Sequence, residues 1–203
     1  GATHSQAFES WYANCPGLKV VVSSNVYDAK GLLKSSILDD DPVLFMESEQ
    51  MYGDKGHVPE EDYTLPIGVA DIKRSGDHVT IVSFGKIIKI ALEAAGEMAN
   101  EGIEVEVIDL RTVRPIDYDT VIKSVIKTNR LICLEEAWPL GCISTELTYM
   151  VQKRAFDYLD APIIRLTTAD TPAAYAPTLM EAFLPNKEQL IKSIREVLYQ
   201  GKQ

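Results

Sequence analysis

Hydrophobic and polar positions divide the chain into two blocks of alternating strand and helix patterns. In the first block, apolar runs over 18–22 and 43–46 predict buried strands, and apolar positions at helical spacing from Asn25 to about Leu38 predict a helix between them. A short helix is predicted over 6–12. Strand, helix and strand with short connections indicate a βαβ unit, which should be parallel and right-handed.

The second block repeats this alternation on a larger scale. Strands are predicted over 79–84, 103–110, 130–134 and 163–166, and helices over 87–100, 118–127, 144–156 and 187–199. Repeated strand–helix units predict an α/β fold with a mostly parallel sheet that is covered by helices on both faces. Residues 49–66 have no periodicity and alternate glycine and proline with charged residues, which predicts an extended linker between the blocks.

The composition narrows the choice of partners. Of the 203 residues, 46% are hydrophobic and 25% are charged, and no apolar run is long enough to span a membrane, so we expect a soluble protein with no membrane partner. The net charge of −10 argues against nucleic acid, whose phosphates would repel the chain, and favours a basic partner. The cysteines are odd in number and lack metal-ligand spacing, as is typical of reduced residues in an intracellular protein: Cys15, Cys133 and Cys142.

The segment 109–117 contains two arginines at the carboxyl end of a predicted strand. Open α/β sheets place ligand or partner contacts at this edge, and the guanidinium group suits carboxylates and phosphates. The alternative is structural: Arg111 and Arg114 tie a loop to nearby carboxylates, and Asp117 caps the next helix. The residues alone favour this alternative.

Several catalytic motifs can be excluded. The turn after the first strand of the second block, Ser83-Phe84-Gly85-Lys86, has one glycine and therefore lacks the dinucleotide fingerprint and the phosphate loop. No Gly-x-Ser-x-Gly segment provides a hydrolase nucleophile. The second block is therefore interpreted as an assembly module rather than a catalytic one.

His4 is the best catalytic candidate. It lies in a loop of small and polar residues just before a helix, and histidine is the side chain best suited to exchange protons near neutral pH. A loop histidine without a function is the alternative, and it is the preferred interpretation of His57 and His78. Because the chain opens in mid-loop without methionine, we expect it to be a fragment whose site is incomplete.

Six motifs along the chain, taken together and in their order, closely resemble the beta subunit of the thiamine-diphosphate-dependent pyruvate dehydrogenase component of 2-oxo acid dehydrogenase complexes. The resemblance covers essentially the whole chain. The motifs are Gly-Ala-Thr-His-Ser-Gln at 1–6, Ala-Lys-Gly-Leu-Leu-Lys at 29–34, Met-Tyr-Gly at 51–53, Leu-Arg-Thr-Val-Arg-Pro at 110–115, Glu-Glu-Ala-Trp-Pro at 135–139 and Leu-Asp-Ala-Pro at 159–162.

The resemblance implies a domain organisation and a cofactor. Residues 1–48 would be the remnant of a pyrimidine-binding domain, 49–66 a linker and 67–203 a transketolase C-terminal domain. In the family, an alpha subunit holds the diphosphate and Mg²⁺, and a beta-subunit glutamate activates the aminopyrimidine. That glutamate would lie upstream, so no cofactor-binding residue is expected here and the fragment should be inactive alone.

The implied activity is oxidative decarboxylation of pyruvate with acetyl transfer to lipoamide, by a heterotetramer. His4 matches a family histidine that handles protons at the active-site channel. The tryptophan at 138 and the aromatic-rich segment 8–12 favour a pyruvate-type subunit. Acetoin or branched-chain 2-oxo acid dehydrogenase beta subunits stay open as alternatives, as does a non-catalytic α/β interaction module.

The resemblance also implies an ion site and partners. Family members bind potassium with main-chain oxygens at a helix end, which here correspond to Ser36, Ile37, Asp39 and Asp41. The implied partners are the alpha subunit, a second beta subunit and the basic subunit-binding domain of the dihydrolipoyl acyltransferase, with Asp160 as the candidate ion-pairing residue. The expected location is the bacterial cytoplasm, or the mitochondrial matrix if the source is eukaryotic.

Overall fold

The computed structural model describes residues 4–199, which form seven helices and eight strands. The helices are α1 (Glu9–Ala13), α2 (Val26–Leu38), α3 (Ile88–Ala99), α4 (Tyr118–Thr128), α5 (Ile143–Ala155), α6 (Pro177–Phe183) and α7 (Lys187–Val197). The strands are β1 (Lys19–Val22), β2 (Val43–Met46), β3 (Asp71–Arg74), β4 (Val79–Ser83), β5 (Val105–Asp109), β6 (Thr112–Arg114), β7 (Leu131–Leu134) and β8 (Ile164–Leu166).

The second block is built on a five-stranded sheet with the order β3-β5-β4-β7-β8. All neighbours are parallel except β3, which is antiparallel to β5. The mostly parallel sheet is therefore confirmed. The edge strand β3 was not predicted, because its sequence Asp-Ile-Lys-Arg is charged, as edge strands often are, and has no apolar run.

Helices cover both faces of this sheet, as predicted. On one face, α3 and α7 bury Met98, Leu190 and Ile194 against β4 and β5. On the other face, α4 and α5 bury apolar side chains against the same strands. Two separate apolar cores result, which explains why β4, β5 and β7 consist almost entirely of buried residues.

The first block forms a second, smaller sheet with the order β2-β1-β6. Strands β1 and β2 are parallel and flank α2, so the predicted βαβ unit is confirmed. Strand β6 comes from the second block: after Leu110 and Arg111 the chain leaves the large sheet and pairs antiparallel with β1. The two sheets stay separate, and this crossing was not predicted.

Helix α2 begins where the sequence places it. The Asn25 side chain accepts a hydrogen bond from the Asp28 backbone N–H at 2.9 Å, which is an N-cap.

Gly31 of α2 allows the segment 49–66 to pack closely, because a Cβ there would lie 2.7 Å from Leu65 and 2.8 Å from Tyr63. The segment 49–66 therefore packs against helices and contains a short 3-10 helix over Glu49–Met51, although its side chains follow no repeating pattern.

Other element boundaries differ modestly from the predictions. The helix predicted over 6–12 begins at Glu9, the last helix ends at Val197, and α6 was missed. In residues 4–199, no helix combines the length and the apolar character that a membrane crossing requires. Residues 1–3 of the first motif lie outside the described range.

Candidate functional site

His4 is exposed and lines a cavity of about 450 Å³ between the two blocks, which we call the His4 cavity. The first block contributes His4, Glu9, Val22 and Ser23 to its lining. The second block contributes 84–87 and Glu136. The accessible position predicted for His4 is therefore present, at a junction formed by segments far apart in sequence.

An ion pair crosses the floor of the His4 cavity. The Lys86 Nζ atom lies 2.8 Å from Glu136 Oε1 and donates a hydrogen bond to Gln50 Oε1 at 2.9 Å. Lys86 follows β4 and Glu136 follows β7, which are adjacent parallel strands. Sequence analysis assigned neither residue. The signal was available, since residues after neighbouring parallel strands meet at the carboxyl edge of a sheet.

Glu9 is a second titratable group of the His4 cavity, and sequence analysis also missed it. Burial raises the pKa of its carboxyl to about 7, with Glu136 and Glu135 adding to the rise and Lys86 opposing it. A carboxyl that titrates near neutral pH, in the same cavity as a histidine, gives the site two groups suited to proton exchange.

A glycine brings the two blocks close together at the wall of the cavity. Gly85 has φ +65, a left-handed conformation that favours glycine, and a Cβ there would lie 3.1 Å from Val22 Cγ1. The turn after β4 therefore contacts β1 without an intervening side chain.

Two of the aromatic motifs meet in space. The ring centroid of Phe8 lies 4.7 Å from that of Trp11 and 6.4 Å from that of Trp138. The indole N–H of Trp138 donates to the carbonyl of Thr171 at 2.7 Å. These contacts join the start of α1 to the loop after β7, at distances typical of aromatic pairs.

The potassium candidates lie at the end of α2. Lys19 Nζ pairs with Asp39 at 2.7 Å and with Asp41 at 3.0 Å, and the Ser36 hydroxyl donates to the carbonyl of Leu32. Among the described hydrogen bonds formed outside helices, none ends on the main-chain oxygens of Ser36, Ile37, Asp39 or Asp41. The carboxylates are therefore occupied by Lys19, whereas main-chain oxygens are available to a cation.

Asp160 is exposed in the loop before β8. Its carboxylate lies 3.3 Å from Arg130 Nη2, and its backbone N–H donates to the carbonyl of Asn129 at 2.9 Å. The Asp160 backbone is thus fixed while its side chain stays accessible on the surface. Across residues 4–199, no described contact joins His4, the end of α2 and Asp160, which lie on separate elements.

The structural alternative is confirmed for Arg111 and Asp117, but among the described residues no ion pair ties Arg114 to a carboxylate. Arg111 is buried and pairs with Asp28 and Asp71, while Arg114 is exposed. Asp117 caps α4 by accepting from the Thr120 backbone N–H at 3.0 Å. Residues 4–199 contain no group of three or more His, Cys, Asp or Glu side chains that could hold a metal ion.

The chain belongs to the family described as transketolase, C-terminal domain, whose model matches residues 68–190. Residues 1–55 match the transketolase pyrimidine binding domain. The expected α/β fold is confirmed by a solved structure described as "Split gene transketolase, inactive beta4 tetramer". Its TM-score is 0.83 at 20% identity, and the match covers 100% of this chain and 64% of the other.

The resemblance to pyruvate dehydrogenase beta subunits is confirmed by curated relatives. The chain is 47% identical to "Pyruvate dehydrogenase E1 component subunit beta" of Rhizobium meliloti, over 98% of this chain and 43% of the relative. It is 46% identical to "Acetoin:2,6-dichlorophenolindophenol oxidoreductase subunit beta" of Bacillus subtilis, over 97% of this chain and 58% of the relative. The chain spans about half the length of these relatives.

Proposed function

We propose that this chain is part of the beta subunit of a thiamine-diphosphate-dependent 2-oxo acid dehydrogenase of the pyruvate type. The assembled enzyme would decarboxylate pyruvate and transfer the acetyl group to lipoamide. One observation carries the proposal: an exposed histidine, in the motif shared with these subunits, lines a cavity formed by the pyrimidine-binding and C-terminal segments.

His4 and Glu9 would handle protons in this cavity. His4 donates or accepts a proton at the reacting substrate. Burial raises the pKa of the Glu9 carboxyl to about 7, so Glu9 can change its own charge near neutral pH. We assign no cofactor ligand to this chain. Thiamine diphosphate and Mg²⁺ are proposed for the complete assembly, where the cofactor supplies the carbon nucleophile that attacks the oxo acid. The 203-residue chain alone is therefore proposed to be inactive.

The proposed partners are an alpha subunit, a second beta subunit and the subunit-binding domain of a dihydrolipoyl acyltransferase. The acidic balance of the chain favours a basic docking partner, since complementary charge raises the association rate and fixes orientation. Potassium at Ser36, Ile37, Asp39 and Asp41 is proposed as a structural ion. The location is the cytoplasm of a bacterium, or the mitochondrial matrix of a eukaryote.

The test combines the intact protein with the alpha subunit of its own source, thiamine diphosphate and Mg²⁺. Turnover is compared for pyruvate, acetoin and a branched-chain 2-oxo acid, with lipoamide acetylation as a second readout. Pyruvate is expected to react best. Preference for acetoin would favour the second candidate, which the 46% identity to the acetoin enzyme's beta subunit supports.

His4→Gln is the diagnostic variant. Loss of a general acid–base group should lower kcat by about 100-fold or more. His57→Gln serves as the control, because His57 is exposed and does not line the His4 cavity, and it should leave kcat unchanged. If both variants turn over like the unsubstituted enzyme, His4 has no catalytic role. If the unsubstituted assembly turns over none of the three substrates, the interaction-module alternative gains support.

A further inference from the structure

Arg111 lies in a largely buried group of charges that connects the two blocks, in which Asp28, Asp109 and Arg111 are buried and Asp71 and Lys73 are partly exposed. We call this group the interblock cluster: Asp28 of α2, Asp71 and Lys73 of β3, Asp109 of β5, and Arg111. The Arg111 Nη2 atom donates to Asp28 Oδ1 at 2.7 Å and to Asp71 Oδ2 at 2.9 Å. Lys73 Nζ lies 2.6 Å from Asp28 Oδ2 and 2.7 Å from Asp71 Oδ2. Both cations therefore bridge the first block to the second.

The backbone of Arg111 forms a second connection between the blocks. Its φ of 59 is left-handed, a conformation that persists in a non-glycine residue only where the surroundings impose it. The Arg111 N–H donates to Asp109 Oδ1 at 3.0 Å, and its carbonyl accepts from the Val22 N–H at 2.8 Å. The same residue thus binds α2 through its side chain and β1 through its backbone.

These contacts lie directly behind one wall of the His4 cavity. Val22 and Ser23 form that wall, and the next residue, Ser24, donates a hydrogen bond to the buried carboxylate of Asp109. A second wall, Phe84 and Gly85, lies next to Val22 and follows β4, which pairs with β5. The cluster therefore joins the elements that carry the two walls.

We propose that Arg111 and Lys73 are positioning residues that hold the Val22–Ser23 wall against the Phe84–Gly85 wall and so set the shape of the His4 cavity. Arg111 is buried and its charge is taken up by Asp28 and Asp71, so it is not a contact for an external ligand or partner. The positioning role concerns the chain itself, and only its kinetic consequence rests on the proposed function.

The charge balance of the cluster suggests a compensating pair of substitutions. Removing one partner of a buried ion pair is strongly destabilising, because the remaining charge is uncompensated. Arg111→Met leaves the three carboxylates with Lys73 alone. Adding Asp71→Asn removes one negative charge, restores the original difference between carboxylates and cations, and keeps the pair between Lys73 and Asp28 that joins the blocks.

The primary test is peptide-resolved hydrogen exchange in the intact protein. In Arg111→Met and in Lys73→Met, amides of 19–24 are expected to exchange about 10-fold faster, while α7, which packs on the far side of the large sheet, is unchanged. The double variant Arg111→Met/Asp71→Asn, which keeps the pair between Lys73 and Asp28, should recover most of the protection. Arg114→Met, an exposed arginine of the same motif, should behave like the unsubstituted protein.

Three outcomes would overturn the proposal. Unchanged hydrogen-exchange rates at amides 19–24 in the variants would show that the cluster does not hold the Val22–Ser23 wall. Equal acceleration at 19–24 and in α7 would show only a general loss of stability. A double variant that exchanges as fast as Arg111→Met would show that charge balance is not what the cluster provides.

Steady-state kinetics distinguish a displaced cavity wall from a smaller amount of folded enzyme. In the assembly with the alpha subunit, a displaced wall should raise KM for the oxo acid several-fold, whereas fewer folded molecules lower kcat at unchanged KM. A kcat loss alone contradicts positioning. If the unsubstituted assembly turns over no oxo acid, the proposed function fails, and the exchange experiment still decides the role of Arg111.

Discussion

The hydroxyl of Ser24 donates a hydrogen bond to the carboxylate of Asp109, a residue with no exposed surface. Burial raises the pKa of Asp109 to about 6, although the hydrogen bonds from Ser24 and from the Arg111 N–H oppose the rise. In contrast, Lys73 and Arg111 hold the pKa of Asp28 below its usual value even though burial alone would raise it. The pKa values of these two carboxylates of one cluster are therefore shifted in opposite directions.

The stability of Asp109→Asn relative to the unsubstituted protein should be greater at neutral pH than at acidic pH. Because the folded-state pKa of Asp109 is raised, its favourable contribution is complete below about pH 4 and is lost as pH rises through about 6. The variant removes this loss, so its free energy of unfolding relative to the unsubstituted protein should increase by about 1–3 kcal/mol between about pH 4 and pH 7.5.

Denaturant unfolding at both pH values measures the difference for Asp109→Asn. Asp28 does not interfere, since a lowered pKa confines its titration to more acidic conditions. A relative stability that is the same at both pH values would show that Asp109 does not titrate in this window.

Glu9→Gln should show a similar pH dependence at higher pH. The pKa of Glu9 is raised to about 7 by burial and by Glu136 and Glu135, so the stability that it contributes at acidic pH is lost as pH rises through about 7. Glu9→Gln should therefore gain about 1–2 kcal/mol relative to the unsubstituted protein between about pH 5 and pH 8.

Thermal or denaturant unfolding of the intact protein tests the Glu9 prediction, with Glu93→Gln as the control. Glu93 is an exposed glutamate of α3 on the other block. Equal pH dependence of Glu9→Gln and Glu93→Gln would show that the cavity does not perturb Glu9.

Much of the fold could be predicted from the periodicity of the sequence. Buried strands β4, β5 and β7 are apolar runs, and Asn25 and Asp117 each signal a helix start through a side chain that can accept a backbone hydrogen bond. Strand β6 could not be found this way. Its three residues have no pattern of their own, and pairing with β1 depends on the left-handed turn at Arg111.

The candidate site was predictable only in part. His4 was found through its motif, but Lys86 and Glu136 become neighbours only once the order of β4 and β7 in the sheet is known. Glu9 carries no local signal at all. Its raised pKa arises from burial in the fold and from Glu135 and Glu136, which lie more than a hundred positions away, and a single sequence does not contain that information.

Potassium should stabilise the intact protein more than sodium at equal ionic strength. The end of α2 offers main-chain oxygens at the negative end of the helix dipole, while Lys19 occupies the carboxylates of Asp39 and Asp41. An ion at about a hundred times its dissociation constant would add about 2.7 kcal/mol. Asp41→Asn should keep this stabilisation, because the proposed ligand is the carbonyl oxygen.

Melting temperatures in potassium and sodium chloride measure the ion effect. Identical values in the two salts would contradict the site. A potassium effect that disappears in Asp41→Asn would instead assign the ligand to the carboxylate side chain.

Asp160→Asn should weaken binding of the basic subunit-binding domain. Asp160 is exposed, its backbone is fixed by Asn129, and its carboxylate lies 3.3 Å from Arg130 Nη2 at the surface, where it can also pair with a cation of a partner. An exposed ion pair at an interface contributes about 1 kcal/mol, which corresponds to about a fivefold loss of affinity. The loss should shrink in high salt, because solvent-exposed charges are screened.

Asp157→Asn provides the matched control for the docking prediction. Asp157 is exposed in the neighbouring 3-10 helix, Phe156–Tyr158, and the substitution changes the net charge by the same amount. Calorimetry or surface plasmon resonance with the intact protein at low and high salt distinguishes a specific pair from general acidity. Equal losses in Asp157→Asn and Asp160→Asn would show that the partner responds to overall charge alone, and unchanged affinity in Asp160→Asn would remove this residue from the docking surface.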